Sequence, residues 1–116
     1  MNYKSTHSFQ ERKDETSRIL EKYPDRIPII CEKNAYAKSN CPSIDKNKYL
    51  VPNDLTIGQF MYVIRKRLQL KAEFALFIFI NGYIPPSCEL IYKLYNRLRE
   101  DDGYLYITYS LENTFG

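Results

Sequence analysis

His7, Cys31, Cys41 and Cys88 are the side chains from which a nucleophilic site would be built in this chain. A thiol attacks as the thiolate, and a nearby imidazole takes its proton. His7 is the single histidine and lies near the N-terminus, so the pair exists only if the fold carries it to a cysteine. Cys31 sits in the apolar run "IPIIC", where a free cysteine packs as a small hydrophobe. A metal would need several Cys or His ligands at close spacing. The three cysteines form no C-x-x-C pair, so no metal and no cofactor are expected. The carboxylates cluster in "ERKDE" and "EDD", which read as solvated faces, and no phosphate-binding loop is present. The balance moves from an enzyme toward a binding or modifier module, with a small Cys enzyme as the third reading.

The remaining reactive group is the main-chain end. The chain closes on "SLENTFG", an aromatic residue followed by Gly116. Glycine is about 7% of residues on average, so chance ends many chains this way. The alternative is that the terminal carboxylate is the working part.

The chain has 116 residues, enough for one domain with a core of its own. Its net charge of +3 is compatible with anionic membranes, acidic peptides or nucleic acid and selects none of them. No RNP-like aromatic run or basic tail is present, so no nucleic-acid partner is expected. An odd cysteine count and no signal pattern point to a reducing compartment, the cytoplasm or nucleus. The longest apolar run, "FALFIFI", is too short to span a bilayer.

The elements that must position any site follow from local pattern. Ser8 and Glu11 form a capping box at the start of a helix whose face is Thr16, Ile19, Leu20 and Tyr23, stopped by Pro24. "MNYKST" before it adds a short turn. "RIPIICEK" reads as a strand in which Pro28 must face away from a partner or lie at a strand start. A polar loop leads to a second strand, "KYLVP". Thr56 and Gln59 form a second capping box, opening a helix with Phe60, Val63, Ile64 and Leu68 inward. "FALFIF" reads as a fully buried strand, with Asn81-Gly82 as its turn. "PPSCELIYKLYNRLRE" reads as a helix with Leu90 or Ile91, Leu94 and Leu98 inward. "YLYITYS" is a last strand with Leu105, Ile107 and Tyr109 on one face and Tyr104, Tyr106 and Thr108 on the other. The order predicts an α+β protein, a ubiquitin-like β-grasp: a four-stranded mixed sheet with a helix across it and an N-terminal helical extension. Residues 1–25 would be the extension, 26–110 the core and 111–116 a flexible C-terminal tail.

Three stretches, "EKYPDRIPIICEK", "DKNKYLVPNDLTIGQFMYVIRKRLQL" and "DGYLYITYSLENTFG", together resemble the GABARAP-like, lipid-conjugated family of autophagy ubiquitin-like modifiers, over nearly the whole chain. The resemblance implies that the C-terminal glycine is activated with ATP, passed through activating and conjugating enzymes, and joined as an amide to phosphatidylethanolamine. A cysteine protease of the pathway would reverse this. The protein would then be cytoplasmic, and on autophagosome or vesicle membranes once lipidated, recruiting cargo receptors through W/F/Y-x-x-L/I/V peptides. The alternative is an unconjugated ubiquitin-like adaptor in vesicle, organelle or cytoskeletal traffic. An acyl carbon that must enter narrow active sites suits a residue without a Cβ. Glu112, Asn113 and Thr114 would form a mobile polar stem and Phe115 a recognition handle before Gly116.

By matching positions, the resemblance also implies a peptide site on "KYLVP" as an edge strand, open to addition of an extended peptide. One pocket, for the aromatic, would use Glu15, Ile19, Pro28, Ile30, Lys48, Leu50 and Tyr104. A second, for the aliphatic, would use Tyr49, Val51, Pro52, Leu55, Phe60 and Val63. Lys48 and Arg67 would attract acidic flanking residues. The loop carrying Cys41 and Pro42 is longer than in the GABARAP-like pattern. Tyr104 replaces Phe and Val63 replaces Leu, changes expected to bear on peptide preference. The chain also stops at Gly116 where that pattern continues, which reads as an encoded glycine end or a trimmed one.

Overall fold

The computed structural model describes residues 2–38 and 40–113. The element order is α1 (Tyr3–Thr6), α2 (Phe9–Lys22), β1 (Arg26–Lys33), β2 (Lys48–Pro52), α3 (Ile57–Leu68), β3 (Phe74–Phe79), α4 (Ile91–Leu98) and β4 (Leu105–Asn113). Both capping boxes form. Ser8 and Glu11 satisfy each other's backbone N–H at 3.1 and 3.0 Å, and Thr56 and Gln59 do the same at 3.2 and 2.9 Å. These bonds use donors that a helix start leaves without intrahelical partners.

The strands form one mixed sheet in the order β2-β1-β4-β3, with β1 and β4 parallel and the outer pairs antiparallel. The main core lies between the sheet and α3 with α4. It takes Ile27, Ile29 and Cys31 from β1, Leu105, Ile107 and Tyr109 from β4, and Ile57, Phe60 and Ile64 from α3. On the opposite sheet face, Ile30 and Tyr104 pack under Tyr3 of α1.

Pro28 fits inside β1 for a directional reason. Cys31 donates to the Asn47 carbonyl and Asn53 to the Asp25 carbonyl, so odd positions of β1 turn their polar groups to β2. The missing N–H of Pro28 therefore faces the β4 side, where pairing begins only at Ile29. No ladder bond is lost.

Four expectations change. β3 is the second edge strand, and only Leu76 and Ile78 are buried, with Phe77 and Phe79 half-buried on the other face. An all-apolar composition signals two covered faces, yet at the sheet edge the second face of β3 is only partly covered. Val63 is 39% exposed because the inward stripe of α3 is Ile57–Phe60–Ile64 and Val63 lies on its flank. The helix expected from Pro85 begins at Ile91. Residues before it run alongside the start of α3 instead, where the Glu89 and Ser87 carbonyls accept from Ile57 and Gly58 at 2.9 and 2.8 Å. β4 continues through Leu111 and Glu112 to Asn113, paired with β3, so Glu112 and Asn113 belong to the sheet and are not a mobile stem.

α2 is seated on the turn before β4 by a close approach. Gly103 has φ +91, and a Cβ there would lie 2.3 Å from Thr16 Oγ1 and 2.8 Å from Thr16 Cβ. Thr16 is buried and donates to the Asp102 carbonyl at 2.6 Å, so it has no room to yield. Gly103→Ala is expected to cost about 1–2 kcal/mol for the left-handed backbone and about 1–3 for the clash. At a few degrees per kcal/mol, the melting temperature should fall by roughly 10 °C or more. Gly82→Ala is the control: φ is +76 but nothing lies within 4 Å, so only the backbone cost applies. Equal losses in the two variants, followed by circular dichroism, would remove the clash from the account.

Candidate functional site

β2 leaves one side of its backbone unpaired. The bonds from Cys31 to Asn47 and from Asn53 to Asp25 set the alternation, so Tyr49 and Val51 turn their polar groups to β1. Lys48 and Leu50 turn theirs outward. Pro52 has no N–H, and its carbonyl accepts from Leu55 at 3.2 Å, which ends the free edge. The edge therefore presents the N–H and C=O of Lys48 and of Leu50, the repeat an extended segment needs to pair.

Side chains on the α2 side of this edge converge on Glu15. Its Oε1 accepts from Tyr3 Oη at 2.5 Å and from Tyr104 Oη, and its Oε2 accepts from Lys48 Nζ at 2.9 Å. Burial alone would raise the carboxyl, but these bonds from Tyr104, Tyr3 and Lys48 outweigh it and hold the pKa down at about 2. Burial, with the bond to the Glu15 carboxylate, pushes the Tyr104 phenol up. Tyr3 meets Tyr104 edge-on at 5.6 Å, and Lys48 Nζ lies 5.3 Å from the Tyr3 ring centre. Ile30 and Tyr104 are fully buried and Pro28 is buried, while Ile19 and Leu50 are half-buried. The structure thus joins Glu15, Lys48 and Tyr104 directly and sets Ile30 as sealed floor. Tyr3 is the member that sequence reasoning missed. Only the Asn2 cap, which accepts from Ser5 N at 2.8 Å, marked its turn as ordered.

On the α3 side, Phe60 is fully buried and packs edge-to-face on Tyr49 at 5.6 Å. Tyr49 and Val51 are buried, Leu55 is half-buried, and Pro52 and Val63 are exposed. Burial pushes the Tyr49 phenol up to about 12, and its Oη has no protein partner among the described residues. The two sets of residues therefore flank β2, one toward α2 and one toward α3.

Both cations expected to draw acidic flanks already have partners. Lys48 is held by Glu15, and Arg67 makes a two-pronged pair with Asp45 at 2.8 and 3.1 Å. The Arg67–Asp45 pair is exposed and screened by solvent, so a competing carboxylate displaces it cheaply. No sequence spacing ties Asp45 to Arg67. The position of Tyr104 is fixed in turn by Asp102, a buried carboxylate that accepts from the Tyr104 N–H at 2.9 Å, from Tyr106 Oη at 2.5 Å and from Arg12 at 2.5 Å.

Among the described residues no hydrogen bond joins His7 to a cysteine. His7 stacks on Tyr3 at 4.1 Å and bonds Thr6. Cys31 is buried in the core, where desolvation pushes its thiol up. Cys41 is buried too, while Cys88 is exposed. Among the described residues no group of three or more His, Cys, Asp or Glu is placed to hold a metal. Phe115 and Gly116 lie outside the described residues.

Residues 11–116 match the family model described as "Autophagy protein Atg8 ubiquitin like". The chain belongs to the Atg8 ubiquitin-like family. It is 58% identical to Autophagy-related protein 8e of Arabidopsis thaliana, covering 98% of this chain and 92% of that one. It is equally 58% identical to Autophagy-related protein 8 of Schizosaccharomyces pombe, covering 98% and 93%. The crystal structure of Trypanosoma brucei ATG8 superposes with a TM-score of 0.90 at 44% identity, covering 100% of this chain and 98% of that one. The Atg8 likeness bears out the ubiquitin-like sheet with its N-terminal helices. It also makes this chain an autophagy-related, ubiquitin-like protein. Among the described residues of this Atg8-family chain, no helix is long and apolar enough to cross a membrane.

Proposed function

We propose that this Atg8-family chain is conjugated through Gly116 to phosphatidylethanolamine and, once on the membrane, recruits receptors through W/F/Y-x-x-L/I/V peptides added to the β2 edge. The observation that carries this reading is the family match, which runs from residue 11 to residue 116 and so takes in both the edge and the terminal glycine. In this reading ATP activates the Gly116 carboxylate, which passes as a thioester to a conjugating enzyme. The lipid amine then displaces the thiol to form an amide. Phe115 serves as a handle for those enzymes. Residues 1–25 act as the helical extension and the residues beyond β4 as the conjugating tail.

Peptide docking follows from the edge chemistry. The Lys48 and Leu50 backbone groups supply the ladder. Glu15, Ile19, Leu50 and the sealed Ile30–Tyr104 floor take the aromatic, and Leu55, Val63 and the Pro52 rim take the aliphatic. Lys48 keeps its bond to Glu15 and offers its remaining ammonium donors to acidic residues of the ligand, while Arg67 exchanges Asp45 for them. The protein contributes surface and substrate, and the catalytic groups belong to its partner enzymes. It is cytoplasmic until lipidation moves it to autophagosomes or vesicles.

Intact-mass analysis after incubation with ATP, activating and conjugating enzymes and phosphatidylethanolamine vesicles tests the reading. The expected result is a mass gain equal to the lipid less one water. No gain, with peptide binding retained, would leave the unconjugated adaptor in its place.

A further inference from the structure

We propose that the Tyr104 hydroxyl makes the α2-side pocket select phenylalanine over tryptophan as the anchoring aromatic of a docked peptide. This rests on the peptide-docking reading of the β2 edge. An indole carries one N–H, which only donates, so a buried tryptophan needs an acceptor. Among the residues assigned to this pocket, Glu15 is the only carboxylate. Lys48 offers donors alone. Tyr104 is fully buried and Tyr3 nearly so, and both hydroxyls donate to Glu15, so the lone pairs left on their oxygens are covered from the pocket. The outward carbonyls of Lys48 and Leu50 are consumed by the peptide's own backbone.

A carboxylate has about four acceptor positions. Tyr104 and Tyr3 both donate to Oε1, which fills that oxygen, and the Lys48 ammonium sits on Oε2. The one position left is on Oε2 beside that ammonium. An incoming indole must therefore crowd in next to Lys48, displace a donor, or bury its N–H unpaired. Phenylalanine carries no such group and meets only the apolar floor. Discrimination against an unpaired buried donor is the direction in which a pocket rejects strongly. The difference is on the order of tenfold in Kd.

Tyr104→Phe keeps the ring and returns one acceptor position on Oε1. The test uses two peptides, matched except for Phe or Trp at the anchor, titrated calorimetrically against the full chain and its Tyr104→Phe variant. The wild-type chain should bind the Phe peptide about tenfold tighter. In Tyr104→Phe the gap should close, and the labelled indole N–H proton resonance of the Trp peptide should move downfield, as it does on gaining an acceptor. Tyr3→Phe frees the other Oε1 position and should move the ratio in the same direction, which covers the case of a poorly folded Tyr104→Phe. The same Phe-to-Trp ratio in all three proteins overturns the selectivity while leaving the docking site intact. Failure of both peptides to bind, or binding of both that Leu50→Arg does not weaken, overturns the docking reading and the selectivity with it.

Discussion

Gly116→Ala is expected to abolish the lipid-sized mass gain in the reconstituted conjugation reaction while leaving the melting temperature unchanged. In the proposed conjugation the Gly116 carbonyl is attacked while its neighbouring backbone threads two enzyme sites, and a residue with no Cβ gives the attacking group the least crowded approach. A methyl on that α-carbon narrows the backbone conformations available and stands next to the reacting carbon. The described core and helix caps are built from other side chains, so the variant changes none of them. A change away from core, caps and networks is worth within about 0.5 kcal/mol. The two readouts therefore separate, with reactivity lost and stability kept. Lipidation of the variant at the wild-type rate would sink the proposal that the terminal glycine is the conjugated group. Peptide affinity measured on the same variant should be unaltered, because the Lys48 and Leu50 backbone supplies the ladder.

Phe60→Ala should have the largest effect on stability, and its reason bears on how the pocket is probed. Phe60 has no exposed surface and its ring meets Tyr49 edge-to-face at 5.6 Å, among Ile57 and Ile64 of the same helix. Truncation removes its transfer energy and leaves a cavity between α3 and β2, costing about 3–5 kcal/mol. That is a large share of the roughly 5–15 kcal/mol holding a domain together. The melting temperature should fall by on the order of 15 °C, as followed by circular dichroism. Loss of peptide binding in this variant would report unfolding. Val63→Ala is the informative partner: Val63 is 39% exposed, so its truncation should leave the melt within about 0.5 kcal/mol of wild type while trimming the aliphatic contact. A Phe60→Ala protein melting within a few degrees of wild type would show that the ring is a surface group after all.

Phe60 and Val63 also show where sequence reading stops. Both stood on one expected inward face, because apolar residues three apart on a helix are neighbours. Which edge of that stripe meets the sheet depends on how α3 is rolled over β2, and no helical period carries that information. β3 shows the same limit for strands. "FALFIF" is apolar at every position, the signature of a strand covered on both sides, but its place at the sheet edge leaves Phe77 and Phe79 half-buried. The C-terminal extent of the sheet was not legible either. The pairing of Phe74 with Asn113 and of Ala75 with Glu112 takes into the sheet residues whose polarity reads as loop.

Sequence alone determined whatever is settled within a few residues. The two capping boxes set the starts of α2 and α3 because donor and acceptor are three positions apart. Asn81-Gly82 marked a turn, and both residues indeed take left-handed backbone, at φ 51 and 76. The alternation of Leu105, Ile107 and Tyr109 assigned the faces of β4, and the long matching stretches identified the family. Tertiary structure alone decided the state of the candidate site. It brought Tyr104 to Glu15 across 89 residues, Lys48 to Glu15 across 33 and Tyr3 to Glu15 across 12, and it paired Arg67 with Asp45. The physical reason is range. Caps, turns and alternation are written in bonds between near neighbours. The occupancy of a carboxylate's lone pairs depends on which distant donors the packed sheet and helices deliver to it.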